Sequence, residues 1–189
     1  MLVRRSNSSQ RSAGSAEELR ALYDQYFDFT WRSLKRLGVP ESGLDDATQE
    51  VFVVLYRRLP EFEGRSKMST WIFRIALHVA QHAQRAKARS RLSFPGEAPE
   101  LESSEPSAEQ KLVAESEARL VRSLLDKLSL EQRAVLVLAE FEAQTPAEIA
   151  ETLNIPRNTV YSRLRTAREE LAEHYRRATA QGRGEQPNG

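Results

Sequence analysis

Residues 145–171, with the sequence TPAEIAETLNIPRNTVYSRLRTAREEL, decide the fold of the C-terminal half. Thr145 is a capping residue, Pro146 stands at the first helical position and Glu148 follows three residues after the cap, which predicts a helix start. Asn154-Ile155-Pro156 then ends the helix, because proline lacks a backbone donor and restricts the residue before it. A second helix follows at once, so this stretch is predicted to form a helix-turn-helix.

The second helix separates an apolar stripe, predicted to be buried, from a polar face. Reading a DNA groove requires donors and acceptors near the start of a helix and cations for the phosphates. An ordinary helical hairpin with a solvated charged face is the alternative, but the tight turn and the one-sided arginines favour DNA. The stripe is Val160, Leu164, Ala167 and Leu171. The residues predicted to contact duplex DNA are Arg157, Asn158, Thr159, Tyr161, Ser162, Arg163, Arg165 and Arg168, with Thr166 on the same outward face.

The composition limits the classes of protein to which the chain can belong. Its 189 residues suit two small domains, and no apolar run approaches the ~20 residues of a membrane span. The absence of cysteine excludes disulfides and thiolate metal sites, so no cofactor is expected. The start, MLVRRSNSSQ, lacks the apolar stretch of a secretory signal, which predicts a cytoplasmic protein without membrane insertion.

Apolar residues recur at helical spacing on both sides of a Pro-, Ser- and Glu-rich stretch, and strand signals are weak. This pattern predicts an all-α fold of two small helical domains joined by a flexible acidic linker. The predicted organisation is a disordered basic tail over 1–15, a helical domain over 16–91, the linker over 92–108, a helix-turn-helix domain over 109–178 and a second tail over 179–189.

The net charge of +1 conceals two blocks of opposite sign. Arg65 to Arg91 carries seven basic residues and no acidic one, whereas Leu92 to Glu117 carries seven glutamates and one lysine. The basic block also contains Trp71 and Phe73 in its first half. Cations beside flat side chains suit single-stranded DNA, whose unstacked bases need such surfaces. Core packing is the alternative; it is favoured for Ile72 and Ile75 and left open for Trp71.

Two stretches resemble one protein family, in the same order along the chain. LSLEQRAVLVLAEFEAQTPAEIAETLNIPRNTVYSRLRTAREEL resembles the fourth-region domain of bacterial sigma factors through EIA, NTV-x-SRL and AR-x-x-L. DDATQEVFVVLYRRLPEFEGRSKMSTWIFRIALHVAQ is similar to their second-region domain through D-x-x-QEVF, F-x-G-R-S and STW-x-x-RIA. The chain thus resembles the extracytoplasmic-function (ECF) group of sigma-70 RNA polymerase sigma factors, which has these two domains and no third-region domain between them.

The resemblance implies a non-catalytic initiation factor. Its partners would be the β′ and β subunits of the RNA polymerase core, promoter DNA with −10 and −35 elements, and an anti-sigma factor. Residues 16–91 would bind polymerase and melt the −10 element, and residues 109–178 would read the −35 element. The acidic linker would lie in a polymerase channel otherwise used by nucleic acid, either as an RNA mimic or as a solvated spacer.

The stretch from Leu44 to Leu59 has a predicted buried stripe formed by Leu44, Ala47, Val51, Leu55 and Leu59. A solvated charged face is the alternative reading of its other side. By resemblance, this helix docks on a coiled coil of the largest polymerase subunit, and Tyr56 stands where tryptophan is common. The residues assigned to polymerase are Asp45, Asp46, Gln49, Glu50, Phe52, Val53 and Arg57.

By resemblance, the loop from Gly64 to Met68 and the helix after it form a pocket for a flipped −10 base, whose extrusion costs a few kcal/mol. His78 stands where asparagine is frequent and Met68 where phenylalanine is common, so the preferred base is not implied. The residues assigned to −10 DNA are Arg65, Lys67, Met68, Trp71, Arg74, His78, Gln81 and Arg85.

Other functions fit the sequence less well. His78 and His82 have the spacing of a metal pair, but two ligands are too few for zinc and no metal is predicted. An enzyme lacks support because no nucleophile or phosphate-binding Gly-rich loop accompanies the acidic residues of 45–50. The rival from another class is a regulator that binds an operator as a dimer and senses a signal through its N-terminal half. Nothing in that half resembles the alternating strands and helices of a receiver domain.

Overall fold

The computed structural model describes residues 8–93 and 119–183. Within these two ranges the chain is helical and contains no strand, which confirms the all-α prediction. The first range contains α1 (Ser8–Arg36), α2 (Leu44–Arg58) and α3 (Met68–Ser93), with 3-10 turns at Glu41–Gly43 and Leu59–Glu61. The second contains α4 (residues 119–125), α5 (Leu130–Glu140), α6 (Pro146–Leu153) and α7 (Arg157–Arg183).

The first helix ends in a glycine-dependent turn. Gly38 has φ +90°, a left-handed conformation that glycine adopts without a side-chain clash. Its N–H donates to the carbonyl of Lys35 (3.2 Å), and the N–H of Val39 donates to the carbonyl of Leu34 (3.1 Å). These two bonds form a Schellman motif, which satisfies carbonyls at the end of α1 and turns the chain toward α2.

The charges of α2 match its dipole and its apolar residues form its buried side. Asp45 and Asp46 lie in its first turn and Arg57 and Arg58 in its last turn, where each sign is favoured.

α2 packs on α1 and α3, and together the three helices form the first domain. The predicted stripe is confirmed except at Leu59, which lies in the 3-10 turn after α2 and is half-buried. The buried side chains of α2 are Leu44, Ala47, Thr48, Val51, Phe52 and Leu55.

Both short helices of the second domain start with complete capping boxes. Ser129 and Gln132 cap α5 reciprocally. Thr145 and Glu148 do the same for α6, which confirms the helix start predicted there. α6 ends at Asn154, which is left-handed (φ 52°, ψ 50°) and donates its N–H to the carbonyls of the preceding turn. The predicted helix-turn-helix is therefore confirmed, and within the predicted connection 154–156 the left-handed Asn154 ends α6.

The apolar stripe of α7 is also confirmed. Val160, Leu164 and Ala167 are buried, and Leu171 packs against a small cluster beneath α5 and α7. That cluster contains Leu125, Leu128, Leu136 and Ala167. It anchors the long α7 at its middle and leaves the first turns of the helix to pair with α6.

The two domains pack against each other. A single cluster of buried apolar side chains runs from α1 to α3 into α5, α6 and the start of α7. The contacts pair α1 with α5 and α3 with α6. Arg133 of α5 is buried beneath Asp126 and lies so close to Gly38 that a Cβ there would overlap its guanidinium. Gly38 therefore serves both the turn after α1 and the contact between domains.

The predicted boundaries differ from the helices at three places. α1 begins at Ser8, inside the predicted tail, because extending a helix costs no new nucleation and Ser8–Ser15 contains no proline. α3 continues to Ser93, two residues into the predicted linker, and α7 continues to Arg183, past the predicted end at 178. The rest of the linker, the start of the second domain up to 118 and the tail ends at 1–7 and 184–189 lie outside the described residues.

Candidate DNA and polymerase interfaces

The outward face of α2 combines acidic and apolar side chains. Six of the seven residues predicted for polymerase are exposed on this helix. Val53 is 47% exposed, and Tyr56, which stands where the family often has tryptophan, is 43% exposed on the same helix. Exposed apolar side chains between carboxylates suit a protein partner better than solvent alone. The six are Asp45, Asp46, Gln49, Glu50, Val53 and Arg57.

Phe52 does not lie on that surface, which corrects its assignment to polymerase. Its side chain is only 5% exposed and packs on Tyr23 of α1, with ring centroids 4.7 Å apart. Helical geometry explains the difference, because Phe52 lies three residues before the buried Leu55 and next to the buried Val51. Phe52 therefore holds α2 against α1.

One face of α3 and the loop before it collect the residues predicted for −10 DNA. Arg74, His78, Gln81 and Arg85 follow at intervals of four, three and four residues, so they share one side of the helix. Lys67, His78 and Arg85 are exposed, whereas Arg74 and Gln81 are half-buried. These side chains form a basic surface that runs along the helix axis. Such a surface suits the extended backbone of a single DNA strand.

The aromatic residues near this face divide into two kinds. Trp71 is half-buried and lies against Phe62, with ring centroids 5.1 Å apart and the planes 30° from parallel. Phe73 is fully buried, as are Ile72 and Ile75, so Phe73 belongs to the core and not to a base-stacking surface. Met68, the first residue of α3, is also half-buried against the core. Trp71 and Phe62 together are the flat surface that this region offers.

Arg65 and Lys67 lie in the exposed loop before α3. The guanidinium of Arg65 forms an ion pair with Glu63, and its side chain remains 82% exposed. Exposed pairs of this kind contribute ~0–1 kcal/mol, so Arg65 can exchange Glu63 for a phosphate at small cost. Lys67 is exposed, and its positive charge helps to lower the pKa of Glu148 in α6.

Arg74 is engaged by the second domain. Its Nε donates to the carbonyl of Thr152 at 2.5 Å, and its Nη2 donates to the carbonyl of Glu151. Both carbonyls lie at the C-terminal end of α6, where the helix leaves acceptors without internal partners and carries partial negative charge. The sequence gives no signal for this contact, because the partners are 77 and 78 residues apart.

Further charged contacts link the two domains on the side of α1. Arg36 pairs with Glu142 (Nη1 to Oε1, 3.4 Å), and its guanidinium lies 4.1 Å from the ring centroid of Phe141. Glu41 accepts hydrogen bonds from Lys35 at 2.9 Å and from Arg122 of α4 at 2.8 Å.

The burial of these groups changes their pKa values. Burial alone would raise the pKa of Glu41, but the hydrogen bonds from Lys35 and Arg122 outweigh it and hold the pKa below its ordinary value. Desolvation lowers the pKa of Arg36, and the charge of Glu142 opposes that change.

The helix-turn-helix positions α7 through α6. Thr145 donates its backbone N–H to Glu148 at 2.8 Å, and the carboxylate also accepts the Thr145 hydroxyl at 2.9 Å. These bonds, the backbone one foremost, hold the pKa of Glu148 below its ordinary value. Thr152 closes the other end of α6 by donating its hydroxyl to the side chain of Gln144 at 2.9 Å. The short helix is therefore fixed at both ends.

The start of α7 presents an open polar face. Tyr161 is 58% exposed. The first turn of α7 contains no acidic residue that would repel a phosphate. Arg163, Thr159 and Thr166 are half-buried, which differs from the fully outward position predicted for them, because they flank the buried stripe. The exposed residues among those predicted for −35 DNA are Arg157, Asn158, Tyr161, Ser162, Arg165 and Arg168.

Two of the arginines predicted for −35 DNA are paired with acidic side chains. Arg168 donates from Nη2 and Nε to the same carboxylate oxygen of Glu140, at 2.7 and 3.1 Å. Arg165 lies 4.0 Å from Glu169 and is 74% exposed. Arg165 is therefore freer to move toward a phosphate than Arg168, which Glu140 of α5 holds in place.

Further features bear on the kind of site. Among the described residues no cluster of three or more His, Asp or Glu side chains could hold a metal ion, and His78 and His82 are both exposed. Within the same residues no helix has the length and apolar character needed to cross a bilayer.

The sequence matches two family models in the places that the geometry indicates. Residues 22–90 match "Sigma-70 region 2", and residues 118–171 match "Sigma-70, region 4". The ECF RNA polymerase sigma-E factor of Escherichia coli K12 is 31% identical over 147 residues, which cover 74% of this chain and 77% of the relative. The sigma factor CnrH of Cupriavidus metallidurans is 26% identical over 87% of this chain and 90% of its own length.

Solved structures have the same fold. CnrH, determined in complex with the cytosolic domain of CnrY, superposes with a TM-score of 0.63 at 23% identity and covers 87% of this chain and 92% of its own. The sigma factor RpoE of Bartonella quintana, in complex with the anti-sigma factor NepR, gives 0.67 at 18% identity over 85% of this chain and 98% of its own.

The two matched family models define a helical DNA-binding protein of transcription. The two family matches and the sigma-E relative make the class definite. The chain belongs to the extracytoplasmic-function group of sigma-70 RNA polymerase sigma factors.

Proposed function

We propose that this chain is a non-catalytic, cytoplasmic initiation factor that binds core RNA polymerase through α2 and reads promoters with two separate surfaces. The observation that carries the proposal is the presence, in one chain, of an exposed face on α2 that mixes acidic and apolar side chains, a basic face on α3 and a helix-turn-helix at α6 and α7. No single-surface operator-binding protein needs all three. The dimeric regulator is therefore not favoured.

The −10 surface is proposed to consist of the basic loop before α3 and one face of that helix. Cations along the strand and the Trp71 and Phe62 rings beside it supply what unstacked bases and their phosphates require. The members are Arg65, Lys67, Trp71, Arg74, His78, Gln81 and Arg85, with Met68 supporting the start of the helix.

The −35 surface is proposed to be the first three turns of α7. Asn158 and Ser162 supply donors and acceptors for base edges, Tyr161 supplies an exposed ring, and the arginines contact phosphates or guanine. The capped α6 fixes the angle at which α7 enters the groove.

The printed titles of the similar structures name anti-sigma factors bound to their sigma factors. By analogy, we infer that this chain also has an anti-sigma partner. The exposed Val53 and Tyr56 on α2 support this inference, since such a partner would compete with polymerase for the same apolar face.

The polymerase interface is tested with a charge reversal on α2. Glu50→Lys is expected to weaken binding to core polymerase by at least about tenfold, because a reversed charge in an interface costs more than 1 kcal/mol. Glu18→Lys is the matched control: it makes the same change at an exposed position of α1 and should bind like the wild type. Titration of labelled protein with core polymerase measures both.

Two results would reject the proposed surface. Equal affinity of the Glu50→Lys and Glu18→Lys variants would remove α2 from the polymerase contact. A wild-type chain that does not bind core polymerase, and instead elutes as a dimer on a palindromic duplex, would support the dimeric regulator.

A further inference from the structure

Tyr161 is an exposed aromatic side chain in the second turn of α7. It follows the buried Val160, yet it is itself 58% exposed, more than the exposed tyrosines of α1 and α2. Tyr23 of α1 packs on Phe52, with ring centroids 4.7 Å apart. Within the described residues Tyr161 has no ring contact of this kind, and its hydroxyl has no hydrogen-bond partner. Its ring and its hydroxyl are therefore both available to a ligand.

The neighbours of Tyr161 on the helix surface are cations and polar groups. Arg157 lies four residues before it and Arg165 four residues after it, so the two arginines stand on either side of the ring along α7. Both are exposed, and the first turn of the helix contains no acidic residue. Arginines at these places can contact phosphates, and those contacts would hold the ring between them against the base edges of the groove.

The chemistry of a phenol ring selects among the four bases. In the major groove guanine presents two acceptors, adenine an acceptor and a donor, cytosine a donor, and thymine an acceptor beside a C5 methyl group. Tyrosine has one hydroxyl and cannot form the bidentate pairs by which arginine reads guanine or asparagine reads adenine. Its ring is apolar, and the thymine methyl is the one apolar group at a base edge. Thymine is therefore the base that Tyr161 matches.

We infer that Tyr161 is a specificity-determining residue that reads a thymine in the upstream promoter element, through contact of its ring with the C5 methyl group. The inference rests on the proposed function, in which α7 enters the major groove of the −35 element. The other use of a tyrosine at a DNA interface is a hydrogen bond from its hydroxyl to a phosphate, which carries no base preference. A ring contact instead makes the preference at one position depend on residue 161.

Replacement of thymine by deoxyuridine tests the methyl contact, because it removes the methyl group and leaves base pairing unchanged. The whole chain first selects its preferred duplex from a randomised library, and each thymine of that duplex is then replaced in turn. One replacement should weaken wild-type binding about three- to fivefold, the size expected for burying one methyl-sized group. Tyr161→Ala should bind the thymine and deoxyuridine forms of that duplex equally. Fluorescence anisotropy in competition measures both.

Three further variants separate base reading from other roles of this side chain. Tyr161→Phe keeps the ring and should keep the difference between thymine and deoxyuridine. Tyr161→Arg should change the preferred base at the same position from thymine to guanine, because a guanidinium pairs bidentately with guanine. A residue that only stabilised the fold would not move a base preference. Tyr175→Ala removes another exposed tyrosine of α7, beyond the proposed −35 surface, and should leave the preference unchanged.

Separate results reject the inference and the proposed function. If no deoxyuridine replacement weakens wild-type binding, or if Tyr161→Ala keeps the difference, the methyl contact is rejected while the −35 surface stands. If Tyr161→Phe and Tyr161→Ala lose the same affinity for both forms of the duplex, the residue contacts a phosphate through its hydroxyl. If the wild-type chain selects no sequence from the library, the proposed −35 surface is rejected, and the inference with it.

Discussion

The two DNA surfaces differ in how they are built. The −35 surface lies on one helix whose start is fixed by neighbouring residues: a capping box at Thr145, a proline at Pro146 and a left-handed Asn154. The −10 surface extends from a loop along α3, and its central Arg74 is bound to the other domain. A locally determined surface is ready as soon as the domain folds, whereas the other depends on the arrangement of the whole chain.

This difference also explains which features the sequence predicts. The helix-turn-helix follows from residues within about ten positions of one another, and capping and proline rules act over that range. The buried side of α2 follows from the helical period. The same helical period also places Phe52 on the buried side of α2. Its assignment to polymerase came instead from resemblance to a motif, which gives the place of a residue in a family but not the direction of its side chain.

The contacts between domains could not be predicted in the same way. Arg36 and Glu142 are 106 residues apart. Arg74 binds backbone carbonyls, which every residue has, so the side chains of the sequence do not indicate its partners. No periodicity or local motif records such pairs. The proximity of Gly38 to Arg133 likewise appears only once α1 and α5 are packed together.

The largest expected effect sharpens the description of the −35 surface. Arg163→Ala should weaken binding of the preferred duplex by ~1–3 kcal/mol if the guanidinium contacts a base bidentately, and binding of random duplexes should change much less. Arg168→Ala is the companion variant. Because Glu140 already holds Arg168, its loss should be smaller and similar for every sequence. Competition binding with preferred and random duplexes measures both, and a uniform loss for Arg163→Ala would assign it to a phosphate.

An intermediate effect tests whether the −35 surface is locally fixed. Thr145→Ala should destabilise the protein by about 1 kcal/mol, the usual cost of losing a cap side chain. The pKa of Glu148 should rise toward its ordinary value, because the Thr145 hydroxyl bond is one cause of its lowering. Urea unfolding and carboxyl NMR titration are the measurements. A conservative Thr145→Ser variant should keep both properties, and an unchanged Glu148 pKa in Thr145→Ala would argue against the capping box.

The smallest effect concerns the domain contact near Glu41. The pKa of Glu41 is lowered from its ordinary value of 4.5. The contribution of Glu41 to the stability of the domain contact is therefore fully present at pH values above 4.5 and is lost as the pH falls through the lowered pKa. The pair with Arg122 is partly exposed and contributes at most about 1 kcal/mol, and less in high salt. Energy transfer between fluorophores attached at Asp24→Cys in α1 and Ala172→Cys in α7, two exposed positions of a chain without cysteine, should therefore decrease modestly in acid, before the helical circular dichroism signal is lost.

Glu41→Gln provides the control for that titration. It should begin with slightly lower energy transfer at neutral pH and show a smaller decrease in acid. An acid response of the same size in the wild type and Glu41→Gln would remove this carboxylate from the contact between the domains.

Run-off transcription with core RNA polymerase on a library with randomised −10 and −35 segments tests the central claim most directly. The account predicts transcripts that depend on the added chain and arise from templates enriched in two separate elements. It also predicts that Arg163→Ala changes only the upstream element and that Arg74→Ala changes only the downstream one. Transcription no greater than that of core polymerase alone, or enrichment of a single element altered by both variants, would contradict the account.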